Sequence, residues 1–218
     1  MRSAIEADLG DESLRQAEEL SMLLHNPARE AYHSVTSRQP NGEDMSLVPA
    51  GRAASFWPTF RGHKSLGHQR STFETLVHEV LATPEVDLYN AIEAGVPTYM
   101  VDVIAAATGE PAADVMEFIG VSQTTLRRKV EAKEPLPDVA GHRVMAFLRV
   151  AATLRRLLKE SGDPEQLTQF DMEAWLSQWM RQALPEFGGK SPAEMLRNPE
   201  GQRAVEQVLE RMRGGLPA

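Results

Sequence analysis

From residue 71 onward, apolar positions recur at three- and four-residue intervals, the spacing of one helix face. Over residues 72–82 they are Phe73, Leu76, Val77, Val80 and Leu81. Residues 87–94 carry Leu88 and Ile92, with Tyr89 beside them, before Gly95-Val96-Pro97 breaks the run. Residues 98–108 follow with Met100, Val101, Val103, Ile104 and Ala107; Thr98 is the cap candidate and Gly109 the stop. A short helix is predicted over 112–119, with Val115, Met116 and Ile119 inward, and another over 123–133, with Leu126 and Val130 toward the core. Residues 138–160 predict a long helix whose apolar face runs from Val144 through Phe147, Leu148, Ala151 and Leu154 to Leu158. A face that broad reads as core first and as a dimer seam second. Three further elements are expected: 172–184 with Trp175, Leu176, Trp179 and Met180; 192–196 capped by Ser191; and 200–213 with Val205, Val208, Leu209 and Met212. No useful stretch of strand alternation interrupts the series, so the predicted fold class is all-α.

The first third of the chain reads differently. Leu14, Ala17, Leu20 and Leu24 fit one amphipathic helix capped by Ser13, or a frayed acidic arm. Residues 33–72 hold scattered Pro, Gly and Ser without periodicity and read as linker. Phe56-Trp57-Pro58-Thr59-Phe60 stands out there, either as a segment that docks on a partner or as one tucked against the chain's own surface. The expected organisation is an extension over 1–70, partly disordered, one domain over 71–160 and a second over 161–218.

Composition narrows the function classes. The chain has 218 residues and no Cys, which removes disulfides, thiol catalysis and cysteine-ligated metals. No apolar run approaches the roughly 20 residues of a membrane helix, and residues 1–8 lack the apolar core of a signal peptide. The cytoplasm is therefore the expected compartment, with no membrane partner. The net charge of −8 is unevenly spread. Residues 1–120 hold 8 basic and 18 acidic side chains, and residues 161–218 hold 6 and 9, whereas residues 121–160 hold 9 basic against 4 acidic. A short basic block in an acidic chain is the first clue to a polyanionic partner.

That block contains a helix–turn–helix spacing. Gly120 supplies a sharp turn, Val121 ties it to the core, and Ser122 caps the helix that follows. Gln123, Thr124, Arg127 and Arg128 fall near that helix's N-terminal end, where side chains reach base edges, while Lys129, Lys133 and the helix N-terminus reach phosphate. The competing reading is a solvated basic face on an ordinary helical bundle.

Two stretches, FIGVSQTTLRRKVEAKEPLP and FGGKSPAEMLRNPEGQRAVEQVLERMRGG, resemble the Xre/MbcA/ParS antitoxin family. The second carries the more specific signature: Gly188, Gly189, Lys190 and Pro192 in a turn, Leu196 closing a short helix, Gly201 opening the last one, then Val205, Leu209, Arg211 and Gly214. The resemblance spans about residues 85–218. It implies a Cro/Xre-like helix-turn-helix domain followed by a small helical toxin-binding domain. It also implies a non-enzymatic antitoxin, without cofactor, that inhibits a RES-domain toxin by covering its NAD pocket and binds its own operator DNA. Homo-dimers or larger toxin–antitoxin hetero-oligomers are expected. Carried over, the blocking segment comprises Arg203, Glu206, Arg211, Arg213, Gly214 and the tail through Leu216, with Lys190 on the turn. Trp175 and Trp179, four residues apart, read as core; if exposed, they would be toxin-contact anchors. A stand-alone transcription regulator whose C-terminal unit dimerises is the alternative.

Catalytic and metal sites find little support. His63, His68 and His78 match no standard ligand spacing, and Asp102, Asp114 and Glu117 read as solvated faces. No phosphate loop, nucleophile elbow or Ser/His/Asp pattern occurs.

Overall fold

A computed structural model of the chain describes Arg15, residues 56–58, 65–161 and 170–213. Of the expected N-terminal helix only Arg15 falls among them, and it is helical; His63, Gly214 and Leu216 lie outside the described residues.

The elements in order are α1 (Leu66–Ala82), α2 (Glu85–Glu93), α3 (Met100–Thr108), α4 (Ala112–Ile119), α5 (Gln123–Ala132), α6 (Asp138–Ser161), α7 (Met172–Arg181), α8 (Pro192–Met195) and α9 (Pro199–Arg213), with a 3-10 turn at Pro185–Phe187 between α7 and α8. Among the described residues there is no strand, only an isolated bridge pairing Leu184 with Lys190. The all-α expectation holds.

Helix α6 is the centre. Val144, Leu148, Ala151, Leu154 and Leu157 are fully buried, and Met145, Phe147, Val150 and Leu158 nearly so. A helix apolar around most of its circumference has to be enclosed, and α1, α2, α4 and α9 all pack on it. Phe147 shows how: its ring lies 6.0 Å from Phe73 of α1 and 5.8 Å from Phe118 of α4. The apolar face expected as a possible dimer seam is thus consumed inside the chain.

The chain from Phe56 to Pro58 belongs to this body. Trp57 is buried, its indole N–H donates to the Ala91 carbonyl at 2.8 Å, and the Tyr99 hydroxyl donates to the Pro58 carbonyl at 2.7 Å. For Phe56–Pro58 the structure takes the tucked reading; Thr59 and Phe60 lie outside the described residues. Helix α1 also begins earlier than its apolar pattern, at Leu66, because the Ser65 side chain accepts from the His68 N–H.

Three apolar positions expected inward are not. Leu81 and Tyr89 are 46% and 59% exposed, and Val130, near the end of α5, is 54% exposed. The physical reason is clearest for Val130. Helix α5 has no fully buried residue, and it touches the body mainly through Leu126, with Val121 and Leu136 filling the space at its two ends.

The last three helices are docked onto the first six. Helix α7 packs on α3, and α9 lays Val205, Val208, Leu209 and Met212 against α6. Polar clamps reinforce both contacts. Glu110, after α3, accepts from the Ser177 hydroxyl and from Arg181 Nη1 at 2.6 Å, while Arg156 of α6 pairs with Glu210 of α9.

Candidate functional site

The helix–turn–helix stretch is built as its sequence dictates. Gly120 adopts φ 75°, ψ 37°, a left-handed conformation that L side chains resist. Its N–H bonds to the Glu117 carbonyl at 3.1 Å and the Val121 N–H to the Met116 carbonyl at 2.9 Å, so the end of α4 is closed by a Schellman-type pair. Ile119 and Val121 are buried on either side and fix the turn to the core. Ser122 then caps α5, accepting the Thr125 N–H at 3.1 Å and donating its hydroxyl to Thr125 Oγ1 at 2.9 Å.

Helix α5 stands out from the body. Ser122, Gln123, Thr124, Arg127 and Arg128 are all exposed and cluster at its N-terminal half. The basic side chains differ in how free they are. Arg127 Nε meets Glu131 Oε1 at 2.9 Å, an exposed i,i+4 pair that is weak in water and easily exchanged. Arg128 has no polar partner among the described residues, and Lys133 is likewise unpaired and sits at the C-cap with φ 54°. Lys129 is the least free of them: its side chain is only 20% exposed and donates to Glu134 Oε2 at 2.9 Å. That hydrogen bond and charge hold the Glu134 carboxyl below its ordinary pKa.

The C-terminal unit begins with α7, where Asp171 Oδ1 accepts the Ala174 N–H at 2.9 Å. Trp175 and Trp179 stack with centroids 5.5 Å apart and are buried. As surface anchors they are therefore corrected to core residues. The four-residue spacing put them on one face, and that face packs inward on the chain itself. After α7 the chain turns through Gly188 and Gly189, both left-handed, and the Leu184 N–H closes on the Lys190 carbonyl at 3.0 Å. This leaves Lys190 exposed at the tip. A capping box opens α8: the Ser191 hydroxyl accepts the Glu194 N–H at 3.2 Å, and Glu194 Oε2 accepts the Ser191 N–H at 2.9 Å. The latter bond lowers the Glu194 pKa. Asn198 caps α9 through the Gly201 N–H at 2.9 Å.

Helix α9 presents two kinds of surface. Its apolar stripe faces α6, whereas Arg203, Gln207 and Arg211 form an exposed stripe at four-residue spacing. Between the stripe and α6 runs a groove of about 630 Å³, lined among others by Arg156, Arg203, Glu206 and Arg211. A second hollow of about 290 Å³ adjoins it, sharing Thr153 and Glu206 and reaching Glu85 and Arg149. Glu206 is half-buried where the two meet. Desolvation raises its pKa, Glu85 and Glu210 add to the shift, and Arg149 opposes it. Sequence reasoning did not anticipate this groove, because it needs α6 and α9, distant in the chain, side by side. The backbone of Arg213 ends α9.

Two domain profiles match the chain in series. Residues 87–149 match the antitoxin Xre-like helix-turn-helix domain, and residues 165–215 match the antitoxin Xre/MbcA/ParS C-terminal toxin-binding domain. The chain belongs to the Xre/MbcA/ParS antitoxin family. This antitoxin is also similar to a curated protein of Sphingobium sp. (strain YBL2), the Prs ADP-ribosylating antitoxin, at 28% identity over 130 residues, 60% of this chain and 80% of that one. No solved structure matches it. The helix-turn-helix profile covers the Gly120 turn and α5, and the toxin-binding profile covers α7 to α9 with the groove-side stripe. Among the described residues of the antitoxin, no helix is long and apolar enough to cross a membrane, and no cluster of three or more acidic or His side chains is placed to hold a metal ion.

Proposed function

We propose that this antitoxin neutralises a cytoplasmic RES-domain toxin through its C-terminal unit and represses its own operon through α5. The carrying observation is the separation of two exposed polar surfaces on one rigid core: the N-terminal half of α5, and the Arg203–Gln207–Arg211 stripe of α9 that leads into residues 213–218. The toxin-binding profile over 165–215 supports the second surface as the toxin's seat, and the relative's name supports an ADP-ribosylating chemistry for that toxin. In this reading Lys190, Arg203, Glu206, Arg211 and Arg213 pair with polar groups around the toxin's NAD cleft, while Gly214 and Leu216 enter it. Gln123, Thr124 and Arg128 read base edges, Arg127 exchanges Glu131 for DNA, and Lys133 meets phosphate. The chain itself carries out no reaction. It acts as a dimer or within a larger toxin–antitoxin complex.

Co-expression with the product of the adjacent gene tests the reading, with growth and cellular NAD as readouts. Restored growth and NAD are expected. The substitution R128A should weaken operator binding with toxin neutralisation intact, and deletion of residues 213–218 should do the reverse. Equal damage to both activities by both changes would refute the two-surface scheme. Specific promoter binding with no toxicity to rescue would leave a stand-alone regulator.

A further inference from the structure

Arg143 lies on the first third of α6, and sequence position alone gives it no role beyond coating that helix. The structure gives it an unusual setting. Its guanidinium meets the turn before α5 through Nη1: a Cβ added at Gly120 would overlap Nη1 and sit 3.3 Å from Cζ. Glycine at 120 is favoured by its left-handed φ, and its missing side chain leaves the space that this cation fills. Arg143 Nε is buried with no hydrogen-bond partner, and no carboxylate among the described residues pairs with the group. A buried donor left unmatched is costly and calls for an explanation, and Arg143 as a whole is only partly buried, so its guanidinium is open to an anion from outside.

Three other arginines of the basic block are paired in the free protein, whereas Arg128, like Arg143, has no such partner among the described residues. Arg127 has Glu131, Arg149 has Glu85 at 2.6 Å, and Arg156 has Glu160 and Glu210. Arg143 is held without a counter-ion among the described residues against Gly120, which stands two positions before the Ser122 cap. Beside it, the N–H groups of Gln123 and Thr124 have no partner, as expected for a helix start.

We infer that Arg143 is a backbone-phosphate ligand of the DNA complex, seated by Gly120 so that a phosphodiester oxygen pairs with the accessible edge of its guanidinium as α5 enters the groove. The inference rests on the DNA-binding reading above and adds to it a residue from outside the helix-turn-helix stretch. A phosphate contact fixes register without reading sequence. Its removal should therefore weaken every duplex alike, and its signature is the salt dependence of binding.

The test uses the full chain, a duplex carrying the DNA immediately upstream of its own coding sequence, and an unrelated duplex of equal length. Binding is measured across a chloride series for the wild type, R143Q, R143K and R155Q. The last makes the same charge change further along α6. R143Q is expected to flatten the slope of log K against log salt by about 0.9, one phosphate's worth. Both duplexes should lose affinity by the same factor, R143K should recover most of the slope, and R155Q should keep it. Toxin neutralisation by R143Q should be unchanged, which shows that the chain is folded. An R143Q slope equal to that of R155Q overturns the inference, as does a loss confined to the upstream duplex. Failure of the wild type to bind either duplex overturns the DNA-binding reading, and this inference with it.

Discussion

Glu206 is the residue whose environment makes the sharpest claim. An unfolded chain ionises it near 4.5, but in the fold burial raises its pKa, with Glu85 and Glu210 adding to the rise. The folded state therefore holds the proton more tightly than the unfolded one. Stability falls as pH climbs from 4.5 through the raised folded value, and the penalty is complete above it. The substitution E206Q removes the ionisation. It should raise the denaturant midpoint at pH 7 and bring little gain at pH 4, and an unchanged difference across that range would contradict the burial argument. Gly201 makes a steric claim. A Cβ there would collide with the Met195 carbonyl oxygen, backbone that cannot swing aside. G201A should cost about 1–3 kcal/mol in urea unfolding. By contrast, N90A on the exposed face of α2 should cost little.

Among the elements, local rules settle some ends and not others. Helices α4 and α5 were legible because Gly120, Val121 and Ser122 state a stop, an anchor and a start within three residues. Pro192 and Glu194 behind Ser191 made α8 equally plain, and S191A, which dismantles that box, should destabilise the chain by about 1 kcal/mol in the same assay. The start of α1 escaped notice because Leu66 to Arg70 offers no inward apolar position; a cap alone sets it. Helix α2 begins at Glu85 behind Pro84, two residues before the expected start, with Glu85 and Asp87 favouring its first turn. Periodicity put Val130 and the tryptophans each on a face, but periodicity cannot say which neighbour covers that face. Val130 in the last turn of α5 stays exposed, whereas the indoles close onto the chain itself. The groove between α6 and α9 and the seat of Arg143 on Gly120 were illegible for the same reason, since both depend on contacts between elements far apart in sequence.

At the scale of the molecule, α6 joins the two proposed surfaces. Its first half backs α4 and the turn into α5, and its second half receives α9. The polar clamps Glu110–Arg181 and Arg156–Glu210 tie α7 and α9 to the helices before them. Two profiles matched in series would allow two independently folding beads, but a shared core helix does not. Removing α9 would strip the cover from the second half of α6, and each buried Leu exposed there costs about 1.5–3 kcal/mol. The chain should therefore unfold in one transition. With Trp57 replaced by Phe, the fluorescence of Trp175 and Trp179 reports the C-terminal unit alone, while far-ultraviolet circular dichroism reports every helix. The two denaturation curves should superimpose. L154A, in the middle of α6, should shift both together, by about 2–5 kcal/mol. A fluorescence midpoint well below the dichroism midpoint would mean that α7 to α9 come away first. The toxin-binding unit would then be a loosely attached module, and the rigid two-surface arrangement would have to be given up.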